Sequence, residues 1–142
     1  MTELKCLGLI PARSGSKRIE NKNIRLLDGH PLIAYSIRSA LDSGVFESVV
    51  VSTDSEEFAQ ISREYGAEVP FLRPSEFAGD GSPDIEWIDY TLNKLAEDGR
   101  EYDCFAILRP TSPFRKAETI ARAWDKFNSL NNVDSLRAVE LC

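Results

Sequence analysis

The chain has 142 residues, enough for about one domain with a real core, and 42% of them are hydrophobic and 28% charged, the balance of a globular rather than a disordered protein. The formal net charge is −6, which excludes a general basic field for nucleic acid. No apolar run approaches the roughly 18 residues of a membrane-spanning helix, and Met1-Thr2-Glu3 running straight into a short strand does not read as a signal peptide.

Strand and helix signals alternate. A first strand over Lys5–Ile10 breaks into Pro11-Ala12-Arg13-Ser14-Gly15-Ser16-Lys17-Arg18, with Lys22-Asn23 close behind. Gly15 and the serines allow a tight turn whose successive N–H groups point at one spot, and Arg13, Lys17, Arg18 and Lys22 bring charge to it. On an acidic chain this is a local anion site, suited to a triphosphate, although neither G-x-x-x-x-G-K-[ST] nor G-x-G-x-x-G is present. Asn23, with both a donor and an acceptor, reads either as a phosphate- or ribose-orienting group or as a plain turn residue. Asp28-Gly29-His30-Pro31 reads as a turn. With His30 as the single histidine, a His-based metal cluster is excluded.

A first helix is expected from Pro31 to just before Gly44, with Ile33, Ile37, Ala40 and Leu41 on one face. A second strand, Ser48–Ser52, leads to Asp54, expected as the N-cap of a second helix rather than as a catalytic group. Glu57 follows in a capping-box arrangement, Phe58, Ile61 and Tyr65 form the apolar stripe, and Gly66 closes the helix. A third strand, Glu68–Leu72, contains Pro70, which suits an edge. Arg73-Pro74 leaves it, offering a rigid fork of donors for a base carbonyl or a phosphate. The small-residue loop Ser75–Asp84 follows, in which Ser82-Pro83-Asp84 either caps a third helix or, through Asp80 or Asp84, holds a ribose hydroxyl. That helix carries Ile85, Ile88, Leu92 and Leu95 on one stripe. A fourth strand, Asp103–Leu108, ends in Arg109-Pro110-Thr111-Ser112-Pro113-Phe114-Arg115, a loop stiffened by its prolines. A fourth helix over Lys116–Ser129 turns Ile120, Ala123, Trp124 and Phe127 inward, and a fifth strand is expected over Ser135–Leu141. Trp87 and Trp124 read as core residues.

The pattern predicts an α/β fold, a three-layer α/β/α sandwich around a mainly parallel Rossmann-like sheet, as a single nucleotide-binding domain over residues 1–142. The loops after the strands gather at one edge, where ligands bind in such sheets. The odd number of cysteines, Cys6, Cys104 and Cys142, at spacings that match no zinc motif, predicts a reduced, cytoplasmic protein.

Taken together, Ile10-Pro11-Ala12-Arg13-Ser14-Gly15-Ser16-Lys17-Arg18, Lys22-Asn23, Val50-Val51-Ser52-Thr53-Asp54, Leu72-Arg73-Pro74 and Arg109-Pro110-Thr111-Ser112-Pro113 resemble, in order and spacing, the acylneuraminate cytidylyltransferases: the CMP-sialic acid synthetases and their legionaminate and pseudaminate relatives. The resemblance implies a nucleotidyltransferase fold, glycosyltransferase-A-like. It implies a reaction in which CTP and a nine-carbon 2-keto sugar acid give a CMP-sugar and pyrophosphate, with Mg2+. It places Arg13, Ser16, Lys17 and Lys22 on the triphosphate, with Arg13, Lys17 and Lys22 catalytic. Asn23 then sits beside the nucleotide, Arg73, Ser82 and Asp84 hold the cytosine and ribose, and Arg109, Thr111 and Ser112 face the sugar. Arg109 stands where many sialic acid synthetases carry glutamine, so the sugar itself is open, and the Arg-Tyr-x-Ser-like loop of the octulosonate branch is absent. Family members continue well beyond residue 142, with magnesium-binding aspartates and a dimer-forming element. The chain is therefore expected to be the N-terminal part of a longer, homodimeric protein, binding CTP with little turnover by itself, with no metal ligand of its own, no nucleic-acid partner and no membrane association.

Overall fold

The computed structural model describes residues 4–15, 22–79, 81–130 and 133–137. Among the described residues three parallel strands form a sheet: β1 (Cys6–Pro11) at the centre, β4 (Ser48–Ser52) on one side and β5 (Cys104–Ile107) on the other. The register pairs Leu9 with Val50 and with Ile107. Between β1 and β4 lie a two-stranded antiparallel hairpin, β2 (Leu26–Leu27) and β3 (His30–Pro31), and the helix α1 (Leu32–Ser43). The helices α2 (Glu56–Glu64) and α3 (Asp84–Glu97) separate β4 from β5, and α4 (Ala117–Ser129) follows it.

Strand alternation splits the core into two layers. Ile10, Val49 and Val51 pack with Ile33, Ile37, Phe58, Ala59 and Ile120 from α1, α2 and α4. Leu7, Leu9 and Val50 point the other way, onto Trp87, Ile88 and Leu95 of α3. A sheet apolar on both faces is what parallel strands between helix layers require. Each fully buried side chain such as Phe58 or Leu9 contributes about 1.5–3 kcal/mol relative to exposure.

Several expectations need correction. The segment 68–72 is not a strand: Glu68 makes one parallel bridge to Val50, its N–H donating to Val49 at 2.9 Å and its carbonyl accepting from Val51 at 3.0 Å. Pro70, without an N–H, ends the ladder there. In the segment 133–137 there is no strand, and residues 138–142 lie outside the described residues. The N-cap of α2 is Ser55, whose hydroxyl accepts from the Phe58 N–H at 3.2 Å, not Asp54. Pro31 and Pro83 occupy the N-cap positions of α1 and α3, one residue ahead of each helix. Leu41 and Ile85 stand 40% and 67% exposed, because each lies on the flank of its helix's apolar stripe. Trp124 is only half-buried, stacked on Phe127 with ring centroids 6.1 Å apart. His30-Pro31 belongs to the hairpin, whose loop Asp28-Gly29 carries φ of 52° and 85°, the paired positive values of a type I′ turn.

A candidate nucleotide site at the carboxyl ends of the strands

The segments that leave β1, β4 and β5 converge with the start of α3 on one cleft of about 170 Å³, lined by Pro11, Arg13, Asn23, Arg73, Phe77, Gly79, Ser82, Asp84, Trp87, Arg109, Pro110 and Thr111. This is where open parallel sheets take ligands. Three arginines and one carboxylate are among its lining residues. A larger groove, about 260 Å³, lies elsewhere, between the end of α1 and α4.

Ser52-Thr53-Asp54 is the hub of the site. The Ser52 carbonyl accepts from the Ala12 N–H at 2.9 Å, and the Thr53 carbonyl accepts from the Arg73 N–H at 2.7 Å. The Asp54 carboxylate accepts from the Ser14 N–H at 2.8 Å and the Ser14 hydroxyl at 2.7 Å. Freed from capping α2, Asp54 holds the cation-bearing loop in place. Asn23, buried at 7% exposure, donates to the Arg13 carbonyl at 3.2 Å and closes the same loop from the other side. The Arg13 guanidinium donates to the Gly15 carbonyl. Lys22 opens the 3-10 turn Lys22–Ile24, while Ser16, Lys17 and Arg18 lie outside the described residues, as does Asp80.

Arg73 is 6% exposed. Its Nε–H donates to the Ser52 hydroxyl at 3.0 Å, Nη2 to the Ser52 carbonyl at 2.9 Å and Nη1 to the Phe77 carbonyl at 3.3 Å, with the guanidinium 4.9 Å from the Trp87 ring centroid. Burial pushes its pKa down to about 10, against the opposing pull of Asp54 and Asp84, so it remains a cation at neutral pH. Arg73 thus joins β4, the Ser75–Phe77 turn and α3 at the floor of the cleft.

Asp84 is the first residue of α3. One carboxylate oxygen accepts from the Trp87 indole N–H at 3.0 Å, and the other pairs with Arg109. Burial works to raise its pKa, but the bonds from Trp87 and Arg109 outweigh it and hold the carboxyl below its ordinary value. Ser82 spends its hydroxyl on the Glu76 carbonyl at 3.1 Å, bracing the loop. Thr111 reaches the cleft, whereas Ser112 is exposed and outside its lining. Ser36 and Ser39 of α1 tie down the following loop, donating to the carbonyls of Arg109 at 3.5 Å and Arg115 at 2.6 Å.

Sequence reasoning picks out the Ser52-Thr53-Asp54 motif but misses that the Ser52 hydroxyl accepts from Arg73, and it misses Phe77, the loop-holding role of Asp54 and the site role of Trp87. A signal existed for Trp87: it lies three residues after Asp84 on a helix, where the two side chains are neighbours, and a buried indole N–H needs an acceptor. Nothing in the pattern shows that the Ser52 hydroxyl meets Arg73, 21 residues further along the chain. Among the described residues no three of His, Cys, Asp and Glu come together to hold a metal ion.

Residues 7–139 match the Cytidylyltransferase family. The chain is 48% identical over 120 residues to CMP-N,N'-diacetyllegionaminic acid synthase of Legionella pneumophila, covering 84% of this chain and 52% of that protein. It is 42% identical over 135 residues to N-acylneuraminate cytidylyltransferase of Escherichia coli, covering 95% of this chain and 31% of the relative. Against pseudaminic acid cytidylyltransferase of Campylobacter jejuni it is 39% identical, covering 87% and 53%. The chain therefore spans between about a third and about half of these relatives' lengths. Among solved structures, CMP:2-keto-3-deoxy-manno-octonic acid synthetase complexed with CTP superposes with a TM-score of 0.74 at 21% identity, covering 88% of this chain and 48% of that one, a likeness of fold. An α/β nucleotidyltransferase sheet, its arginine-lined cleft at the strands' carboxyl ends, and a family match running from β1 past α4 agree: the chain belongs to the cytidylyltransferase family.

Proposed function

We propose that this chain carries the nucleotide-binding part of an enzyme that transfers CMP from CTP to a nine-carbon 2-keto sugar acid of the N-acylneuraminate type. The observation that carries the reading is the cleft at the carboxyl ends of β1, β4 and β5, where Arg13, Arg73 and Arg109 meet in a chain of this family. In the reaction the anomeric hydroxyl oxygen of the sugar acid bonds to the α-phosphorus and loses its proton. The bond from that phosphorus to the oxygen bridging to the β-phosphate breaks, and pyrophosphate leaves with the electron pair. Negative charge builds on the phosphoryl oxygens, so fixed cations and a rigid alignment of the two substrates supply the catalysis.

Arg13, Ser16, Lys17 and Lys22 receive the triphosphate, and Asn23 and Asp54 keep that loop in shape. Arg73, Ser82 and Asp84 face the cytidine, Arg73 through the floor of the cleft. Arg109, Thr111 and Ser112 lie on the acceptor side. Magnesium accompanies the triphosphate and offsets part of its charge.

Calorimetric titration with CTP, ATP, GTP and UTP, each with magnesium, tests the reading. Selective binding of CTP is expected, with little CMP-sugar formed by this chain alone. Equal binding of all four nucleotides, or of none by a protein with an intact circular dichroism spectrum, would overturn it.

A further inference from the structure

Arg109 has a fixed base and a half-exposed head. Its backbone is held on both sides: the Leu108 N–H donates to the Leu9 carbonyl at 2.8 Å, the buried Ser36 hydroxyl reaches the Arg109 carbonyl at 3.5 Å, and Pro110 follows. Its side chain is 49% exposed and crosses the mouth of the cleft to Asp84, itself 47% exposed, on the opposite wall. A half-exposed ion pair is a weak bond, readily exchanged for another anion. The Asp84 side, by contrast, is braced. Its other oxygen takes the Trp87 N–H, and the Trp87 ring lies against Arg73. Arg73, buried and held by three hydrogen bonds, cannot swing; Arg109 can.

We propose that the Arg109–Asp84 pair is a displaceable latch: Asp84 occupies Arg109 until an oxyanion of the substrate enters the cleft and takes the guanidinium from it, so that Asp84 sets how strongly the site holds that anion. The exchange breaks one ion pair and forms another. The physiological anion is either a phosphate of the nucleotide or the carboxylate of the sugar acid, an assignment that rests on the function proposed above. The latch itself does not need the cytosine.

The test uses inorganic pyrophosphate and, separately, N-acetylneuraminate, titrated by calorimetry into the wild type, Asp84→Asn, Arg109→Gln and the double variant. Removing the competing carboxylate is expected to tighten one of the two probes by up to about fivefold, the scale of an exposed ion pair. The gain disappears in the double variant, which binds like Arg109→Gln alone. The probe that responds identifies the anion Arg109 takes. Unchanged or weaker binding of both probes by a folded Asp84→Asn overturns the latch, as does a gain that survives in the double variant. Should Asp84→Asn lose its thermal transition, Asp84→Ser, which keeps a good N-terminal helix residue, replaces it under the same criteria. Loss of CTP selectivity alongside a responding probe would remove the proposed function and leave the latch, and the converse result would do the reverse.

Discussion

Arg73 and Asp84 spend their charge differently. Arg73 is buried, and its guanidinium is bonded to Ser52 and Phe77 while lying against Trp87. A lysine there keeps the charge but not the planar fork, leaving Ser52 and Phe77 oxygens without their donors. Arg73→Lys is expected to cost on the order of 2 kcal/mol of stability, read as a lower urea midpoint at unchanged slope. A midpoint equal to the wild type's would mean the fork is dispensable. Asp84 is half-exposed, and its carboxyl is held below the ordinary value by Trp87 and Arg109 despite burial. A depressed carboxylate adds stability that is fully present above its unfolded-state pKa and is lost as pH falls through the folded value. The urea midpoint of the wild type should therefore exceed that of Asp84→Asn at pH 7, and the gap should close as pH drops below 4. A gap independent of pH would assign the difference to packing rather than charge.

Turn chemistry decides where the elements stop. Gly66 follows α2 with φ of 100°, its N–H donating to the Arg63 carbonyl at 3.0 Å, and an added Cβ would meet the Leu41 side chain at 3.0 Å. Gly66→Ala combines a left-handed backbone with that contact, and a loss of about 1–2 kcal/mol is expected from equilibrium unfolding. An alanine variant as stable as the wild type would mean the turn rearranges freely. The helices α1, α2, α3 and α4 were legible because their apolar residues recur every three to four positions, and the strands β1, β4 and β5 because Leu7–Ile10, Val49–Val51 and Phe105–Leu108 are continuous apolar runs. Pro70 was legible as a disruption, but not that it would reduce the segment 68–72 to one bridge. The positions of the caps depend on which oxygen a single N–H selects, and the pattern assigns that bond to Asp54 where the structure gives it to Ser55. The loop that Asp54 holds instead lies forty residues away, at Ser14, a contact with no local trace. For the same reason the arginines of the cleft could be picked out one by one, while the hydrogen bonds that orient Arg73 and Arg109 could not.

At the scale of the whole molecule, the cleft draws on both core layers. Arg13 and Ser14 follow the central strand, Asp54 stands between β4 and α2, Trp87 belongs to the α3 layer, and the loop after β5 is tied to α1. A nucleotide seated there touches elements on either side of the sheet, so its binding energy is lost only when the whole domain opens. For a ligand that binds the folded state alone, a concentration one hundred times Kd adds about 2.7 kcal/mol. For a chain of this size that is a rise in Tm of roughly 6–10 °C. Two probes separate global from local stabilisation. In Trp124→Phe the fluorescence comes from Trp87 at the cleft, while far-UV circular dichroism reports the helices together, α4 included. With saturating CTP the two transitions should rise together and remain superimposable, as expected of a single cooperative domain. If the Trp87 transition moved and the circular dichroism transition did not, the cleft would be a locally stable unit, and the two core layers would not unfold as one.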